Sequence, residues 1–249
     1  MSSEDRIKRE WNVAAEAWTD FVRTARDYTR DVLNNPAAFD LIGDVKGLIV
    51  LDLACGEGYN TRILARKGAK VTGVDLSENL IEQARREEAT ERLGIRYHVL
   101  DASNLEGIPD NHFDLVTCFM ALQDIEDCRK AVSEVARVLR CRGRFVFSIP
   151  HPCFEKISMR GRKVQAARRY FETTECRINW NMERLEKPFK TTSFHRTLTD
   201  YSESLHTSSL VIRRLIEPRL EAKASAKHPY LKDASVRPQS VIIESLKIT

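Results

Sequence analysis

Apolar positions follow two different spacings along the first part of the chain. In residues 5–34, apolar side chains such as Trp11 and Trp18 recur on one helical face, and Asn34-Asn35-Pro36 breaks the pattern. Beyond them lie short apolar runs typical of parallel strands buried on both faces, separated by segments typical of amphipathic helices. The predicted strands are 48–51, 70–74, 95–100, 113–119 and 144–149, and the predicted helices between them are 60–67, 78–93 and a segment that begins near Asp127. This alternation predicts an α/β fold with a doubly wound, mostly parallel sheet.

The alternation stops after the fifth predicted strand. Residues 151–197 are rich in aromatic and charged side chains without a clean period, and we interpret them as a lid-like insertion over the end of the sheet. With two more strands the sheet would have seven. The remaining predictions are a helix at 198–207, a strand at 210–216, an antiparallel edge strand at 240–248, an N-terminal helical cap at 1–40 and a single domain over 1–249.

The composition argues against several classes of protein. With 40 basic and 36 acidic side chains, the net charge of +4 is too small to indicate a nucleic-acid binder. Residues 1–10 are polar and charged, unlike a signal peptide, and no stretch approaches the about 18 apolar residues of a membrane span. None of the six cysteines forms a C-x-x-C pair, so we expect free thiols and no metal site. We expect a cytoplasmic protein without membrane partners, of open oligomeric state.

A glycine-bearing turn after the first predicted strand is the most informative segment. It contains Asp52, Gly56 and Gly58. In a parallel sheet, ligands bind beyond the carboxyl ends of the strands, and glycines there let the backbone approach a ligand closely. A dinucleotide fingerprint would need a third glycine where Thr61 stands. Asp52 would repel a pyrophosphate and attract a cation, so the turn favours S-adenosylmethionine (SAM), which carries an ammonium and a sulfonium.

The next three strand ends carry residues suited to other parts of the same molecule. Asp75 ends the second strand and can accept both hydroxyls of a ribose. Asp101 follows the third strand and can bind the exocyclic amine of adenine, while Phe119 begins an apolar segment after the fourth strand. Any one of these acids could instead cap a helix or a turn, but their recurrence at successive strand ends favours a ligand site.

Taken together, these residues resemble the class I SAM-dependent methyltransferases, in the small-molecule branch of the methyltransferase type 11 kind. The family motif D/E-x-G-x-G-x-G is matched from Asp52 to Gly58, with Ala54 in place of the first glycine. The resemblance covers about residues 45–150 and implies a Rossmann-like methyltransferase fold, SAM as cofactor and S-adenosylhomocysteine (SAH) as product. The cofactor contacts that it adds to those above are Cys55, Leu76, Ala102 and Trp18.

By the same resemblance, Trp18 and Trp11 would close over the methionine end of SAM, and packing in the core is the alternative for both. Two histidines are candidate catalytic bases for an acceptor that must lose a proton. His151 directly follows the fifth strand, and His195 lies at the end of the insertion. A hydrogen-bonded structural histidine is the alternative in each case.

Other side chains near the expected cleft are weaker candidates. Tyr201 and Asp124 could also take a proton, whereas methyl transfer requires no covalent intermediate on Cys153. The acceptor expected is a small molecule, methylated by in-line displacement under the lid. The basic stretch 155–169 could instead recruit RNA or be a solvated surface, and a SAM-binding regulatory module without turnover is the third hypothesis.

Overall fold

The computed structural model describes residues 3–24, 27–154, 156–159, 162–165, 170–181, 185, 187–228 and 231–248. Its strands are β1 Ile49–Leu53, β2 Lys70–Asp75, β3 Arg96–Val99, β4 Phe113–Phe119, β5 Leu139–Pro150, β6 Lys156–Met159, β7 Arg162–Gln165, β8 Thr174–Trp180, β9 Phe189–His195, β10 Leu210–Ile216 and β11 Ser240–Lys247. Its α-helices are α1 Ser3–Arg23, α2 Asn35–Ile42, α3 Tyr59–Arg66, α4 Glu78–Glu91, α5 Cys128–Val138, α6 Leu198–Thr207 and α7 Ala222–Ala226.

Seven of these strands form the central sheet, in the order β10-β11-β5-β4-β1-β2-β3. β1 to β5 pair in parallel, and β11 runs antiparallel to both of its neighbours. The predicted α/β fold with a mostly parallel seven-stranded sheet is therefore confirmed. Because β4 and β2 flank β1, the order reverses beside β1, and the crevice at such a reversal is where open α/β sheets bind ligands.

The last strand does not lie at the edge of the sheet, contrary to the expectation from its weak alternation. β11 lies between β5 and β10, and Val241, Ile242 and Ile243 are completely or almost completely buried. β10 is the edge strand, with Val211 and Leu215 about half exposed. The run Val-Ile-Ile in β11 is the pattern of a strand covered on both faces, which explains its internal position.

Helices cover both faces of the sheet, as a doubly wound fold requires. On one face, α5 packs Ala131, Val132 and Val135 against the sheet. On the other face, α3 and α4 contribute Leu64 and Ile81. The two faces have separate apolar cores, and the carboxyl ends of the parallel strands lie between the layers at one rim.

The N-terminal region is two helical segments rather than one helix over 5–34. α1 ends at Arg23, and a short π-helix, Thr29–Asn34, leads directly into α2. Pro36 lies in the first turn of α2, where a residue without an N–H breaks no hydrogen bond of the helix. The Asn-Asn-Pro sequence that was expected to end a helix therefore begins one.

The insertion after β5 contains two antiparallel hairpins, β6–β7 and β8–β9. The β8–β9 hairpin packs Phe189 against Ala14 and Phe21 of α1. This contact joins the insertion to the N-terminal helix above the strand ends. Among the residues described, no helix combines the length and apolar character that crossing a membrane requires.

Candidate active site

A cavity of about 620 Å³ lies at the carboxyl ends of β1 to β5, roofed by α1 and the β8–β9 hairpin. Small-molecule sites have volumes of about 300–1,000 Å³, so this cavity has the size of a ligand site. Most of the predicted cofactor residues line it: Trp18, Ala54, Cys55, Gly56, Asp75, Leu76, Asp101, Ala102 and Phe119. Asp52 and Gly58 are not among the lining residues.

The Asp75 carboxylate holds the glycine turn in place. Its Oδ2 accepts a hydrogen bond from the Gly56 backbone N–H at 2.8 Å, and its Oδ1 accepts one from the Ser77 N–H at 2.9 Å. Burial raises the pKa of Asp75, and these two hydrogen bonds oppose the rise. A carboxylate oxygen can accept more than one hydrogen bond, so Asp75 can order the turn and still accept hydroxyls of a molecule in the cavity.

The Asp52 carboxylate lies behind the cavity wall. It is 1% exposed, and its two oxygens accept hydrogen bonds from the hydroxyls of Thr61 at 2.6 Å and Thr117 at 2.7 Å. Burial, against these two hydrogen bonds, raises the pKa of Asp52 to about 6. Asp52 therefore anchors β1 to α3 and β4 and gives the turn a negative surrounding, without forming part of the cavity surface itself.

Tyr97 of β3 explains why two positions near the turn are glycines. A Cβ atom at Gly58, whose φ is +82°, would overlap the Tyr97 hydroxyl, and one at Gly73 would lie 2.8 Å from ring carbons of Tyr97. The ring therefore fills the space under the turn. Gly56 differs, because the nearest atom to its Cβ position is Trp18 Nε1 at 4.0 Å, which leaves its cavity side open to a ligand.

The wall beyond β3 and β4 carries the other predicted contacts. The Asp101 carboxylate accepts hydrogen bonds from the Ser103 N–H at 2.9 Å and the Ser103 hydroxyl at 2.5 Å. Burial and then repulsion by Asp101 raise the pKa of Glu4 of α1, so Glu4 approaches the same end of the cavity. Phe119 packs on Phe39, with ring centroids 5.8 Å apart.

Aromatic side chains form the roof. Trp18 of α1 makes an edge contact with Trp180 of β8 at 5.2 Å between centroids, and Trp11 lies 5.8 Å from Trp18. Trp11 also contacts Phe189 of β9 at 6.5 Å. Trp18 therefore touches the insertion and faces the glycine turn, so its packing role and its place at the cavity are compatible.

An ionic cluster that the sequence did not reveal connects α1 to the turn. Glu57 accepts hydrogen bonds on Oε2 from Arg62 at 2.9 Å and from Arg23 of α1 at 3.0 Å. Arg23 also pairs with Glu87 of α4 at 2.7 Å. The Glu57 side chain is 2% exposed, and a buried carboxylate requires such partners. Nothing in the spacing of these four residues pointed to their pairing.

Neither His151 nor His195 lines the cavity. His151 is buried, with its Nε2 2.8 Å from Glu217 and its Nδ1 accepting from the Cys153 N–H at 3.2 Å. His195 is also buried, with Nε2 3.1 Å from the Tyr170 carbonyl oxygen. These hydrogen bonds agree with the structural alternative for both histidines. Of the weaker candidates, Asp124 lines the cavity, whereas Cys153 and Tyr201 are absent from its lining.

Comparisons with known proteins agree with this geometry. The family described as "Methyltransferase domain" matches residues 51–147. An uncharacterized protein of Haemophilus influenzae is 31% identical over 233 residues, which cover 88% of each chain. The ubiquinone biosynthesis O-methyltransferase of Coxiella burnetii is 36% identical over 104 residues, which are 42% of this chain and 44% of that enzyme.

The crystal structure of an S-adenosylmethionine-dependent methyltransferase from Mesorhizobium loti superposes with a TM-score of 0.70 at 27% identity, over 85% of this chain and 96% of that one. This likeness covers more of the chain than the family match over residues 51–147. Strand order, the glycine turn with its acid on β2, and a cavity of suitable size all fit the cofactor of such enzymes. The chain belongs to the class I SAM-dependent methyltransferases.

Proposed function

We propose that this methyltransferase acts on a small-molecule acceptor, enclosed beneath α1 and the β8–β9 hairpin. The observation that carries the proposal is the aromatic roof, in which Trp18 of the N-terminal helix meets Trp180 of the insertion at 5.2 Å. A cavity roofed in this way suits a small molecule that is surrounded on most sides. The roof also excludes water from the reaction.

In this proposal each strand end contacts a different part of the cofactor. Asp75 accepts the ribose hydroxyls, Asp101 with Ala102 borders the adenine, and the backbone at Gly56 approaches the methionine part. Bound SAM supplies a methyl group already activated by a positively charged sulfur. The protein contributes position, because holding the acceptor in line with that methyl group accounts for most of the acceleration available. The Asp75 and Glu57 contacts keep the turn in one conformation before any ligand arrives.

The comparisons support a small acceptor without identifying it. The ubiquinone biosynthesis enzyme is an O-methyltransferase, but the match spans less than half of either chain. The alternative acceptor, RNA, rests on the basic stretch 155–169. Residues 155, 160, 161 and 166–169 lie outside the described part of the chain, and the side chains between them are not described either. The aromatic roof is therefore the observation that supports a small-molecule acceptor in this proposal.

The proposal is tested with SAM carrying a labelled methyl group. The purified protein is incubated with a low-molecular-weight metabolite extract, with total RNA, or with neither, and label is followed into each fraction. We expect label in the metabolite fraction and formation of SAH, with heat-denatured protein as the control. Label in RNA alone, or SAH binding without any turnover, would contradict a small-molecule methyltransferase.

A further inference from the structure

The side-chain oxygen of Gln123 is a buried acceptor without a hydrogen-bond donor among the described residues. Its Nε2 donates to the Met120 carbonyl oxygen at 2.6 Å and to the Asp124 carboxylate at 3.3 Å, which fixes the orientation of the amide. Gln123 is 8% exposed and lines the cavity, and within the described part of the chain its Oε1 is buried without a hydrogen-bond partner. Leaving such an oxygen without a donor is unfavourable, so a bound molecule that offers one is favoured.

Gln123 lies in the part of the cavity between the ends of β4 and β5 and the β8–β9 hairpin. Met120, to which it bonds, follows β4 and donates its N–H to the Ser148 carbonyl oxygen of β5 at 2.9 Å. The backbone oxygen of Gln123 lies 3.5 Å from the Ser193 hydroxyl of β9. Gln123 therefore lies between the strand ends, where the methyl group would be delivered, and the hairpin of the insertion.

Acidic side chains predominate among the described residues that line the cavity. Eight of the described lining residues are acidic, and among them Arg30 is the sole basic one. The Arg30 guanidinium is paired with Asp31 at 2.7 Å and lies 3.6 Å over the ring of Tyr59, so its charge is largely satisfied. Indole rings such as those of Trp18 and Trp180 attract cations to their faces. Glu57 is paired with Arg62 and Arg23, and the proposed function assigns Asp75 and Asp101 to the cofactor. The remaining acids of the lining, Asp124 among them, still give the cavity a negative potential that attracts a second cation.

Building on the small-molecule methyl transfer proposed above, we propose that the acceptor is an amine on an aromatic or similarly flat apolar group, bound as its ammonium, with an N–H donated to Gln123 Oε1. The ammonium gives one proton to the Asp124 carboxylate, from which it passes to solvent. The nitrogen lone pair then forms the N–C bond as the C–S bond breaks, and the bonding pair remains on sulfur. The products are the N-methylated amine as its ammonium, SAH and one released proton.

Binding, rather than turnover, tests this assignment most directly. SAH affinity is first measured by calorimetry, and its absence would refute the proposed function as a whole. With SAH saturating, three probes of one shape are compared: tryptamine, its neutral analogue tryptophol and the anion indole-3-acetate. We expect tryptamine to bind about tenfold or more tightly than tryptophol, and indole-3-acetate to bind weakest. Equal affinities, a reversed order, or no binding of tryptamine would refute the amine as acceptor but not the proposed methyltransferase function.

Variants at Gln123 separate recognition from folding. Gln123→Met keeps the length of the side chain and removes the oxygen, so the preference for tryptamine over tryptophol should fall by about tenfold. Gln123→Glu keeps an acceptor oxygen and should retain the preference. Gln83→Met, on α4 and outside the cavity lining, is the matched control and should change nothing. If Gln123→Met and Gln123→Glu lose the preference equally, or neither loses it, Gln123 is not the residue that recognises the amine.

Discussion

Replacing Asp75 by Asn tests whether this carboxylate recognises the ribose of the cofactor. One of the two acceptor oxygens becomes an amide nitrogen, so one ribose hydroxyl loses a hydrogen bond to a charged group, worth about 1.5–3 kcal/mol. This corresponds to roughly a 10- to 150-fold loss of affinity. The amide must also meet the N–H groups of Gly56 and Ser77, which now lie 2.8 and 2.9 Å from the carboxylate oxygens, so the turn itself is disturbed.

A pair of ligands separates these two effects. Adenosine and 2′,3′-dideoxyadenosine share the base and differ in the hydroxyls, and their affinities for wild-type protein and for Asp75→Asn are measured by titration calorimetry. Wild-type protein should prefer adenosine, and the variant should lose most of that preference. A disturbed turn would weaken the binding of both nucleosides by the same factor and leave the ratio of their affinities unchanged. Asp101→Asn is the matched control, because Asp101 follows the neighbouring strand β3 and its oxygens accept hydrogen bonds from Ser103. This variant should leave the ratio intact.

The ratio of the two nucleoside affinities also shows which result would refute the assignment of Asp75 to the ribose. If wild-type protein and Asp75→Asn prefer adenosine by the same factor, the carboxylate does not contact the ribose, however much absolute affinity is lost. The same conclusion follows if wild-type protein shows no preference between the two nucleosides.

Three further predictions concern residues behind the cavity. Gly58→Ala should lower the free energy of unfolding by about 2–4 kcal/mol and weaken SAH binding, because the φ of +82° and the Tyr97 hydroxyl both oppose a Cβ atom. Urea unfolding measures the stability and calorimetry the affinity, and unchanged values of both would contradict the packing under the turn. Asp52 is most stabilising in its protonated form, since burial raises its pKa from 3.8 to about 6. Relative to Asp52→Asn, the wild-type protein should therefore lose about 2 kcal/mol of stability as pH rises from 4 to 6, and a difference that is flat or rises with pH would refute this. His151→Ala should lower the free energy of unfolding by about 1–3 kcal/mol, because the buried imidazole loses its hydrogen bond to the half-exposed Glu217, while SAH affinity stays constant. A pH-dependent loss of turnover without loss of stability would instead indicate a catalytic role for His151.

Local patterns predicted most of the elements that position the site. Apolar runs of strand length, with glycine and serine signals at helix ends, were enough for β1 to β5 and the helices between them, because each depends mainly on contacts with the two faces of one sheet. Asp75 and Asp101 were found for the same reason. A strand end in a parallel sheet places its next residue at a common rim, whatever the rest of the chain does.

The insertion was less accessible to prediction. The β8 strand alternates exposed polar residues with partly or fully buried ones, but this short pattern lies within a segment that is mixed overall. Its place over the cavity depends on contacts such as Phe189 of β9 with Phe21 of α1, which join segments far apart in the chain. The same holds for β11, whose place inside the sheet depends on β10 covering its outer edge.

What the sequence by itself determined was the α/β alternation, the glycine turn and the acids at the strand ends, because these follow from neighbours along the chain. What the tertiary structure alone decided was which side chains face the cavity. In the folded chain Asp52 accepts hydrogen bonds from two threonines, and His151 lies at hydrogen-bond distance from Glu217. Gln123 lies in the cavity wall, and its Oε1 has no partner among the described residues. The physical reason is that a side chain's partner is set by what folding brings within hydrogen-bond distance, and those partners lie up to 66 residues away in sequence.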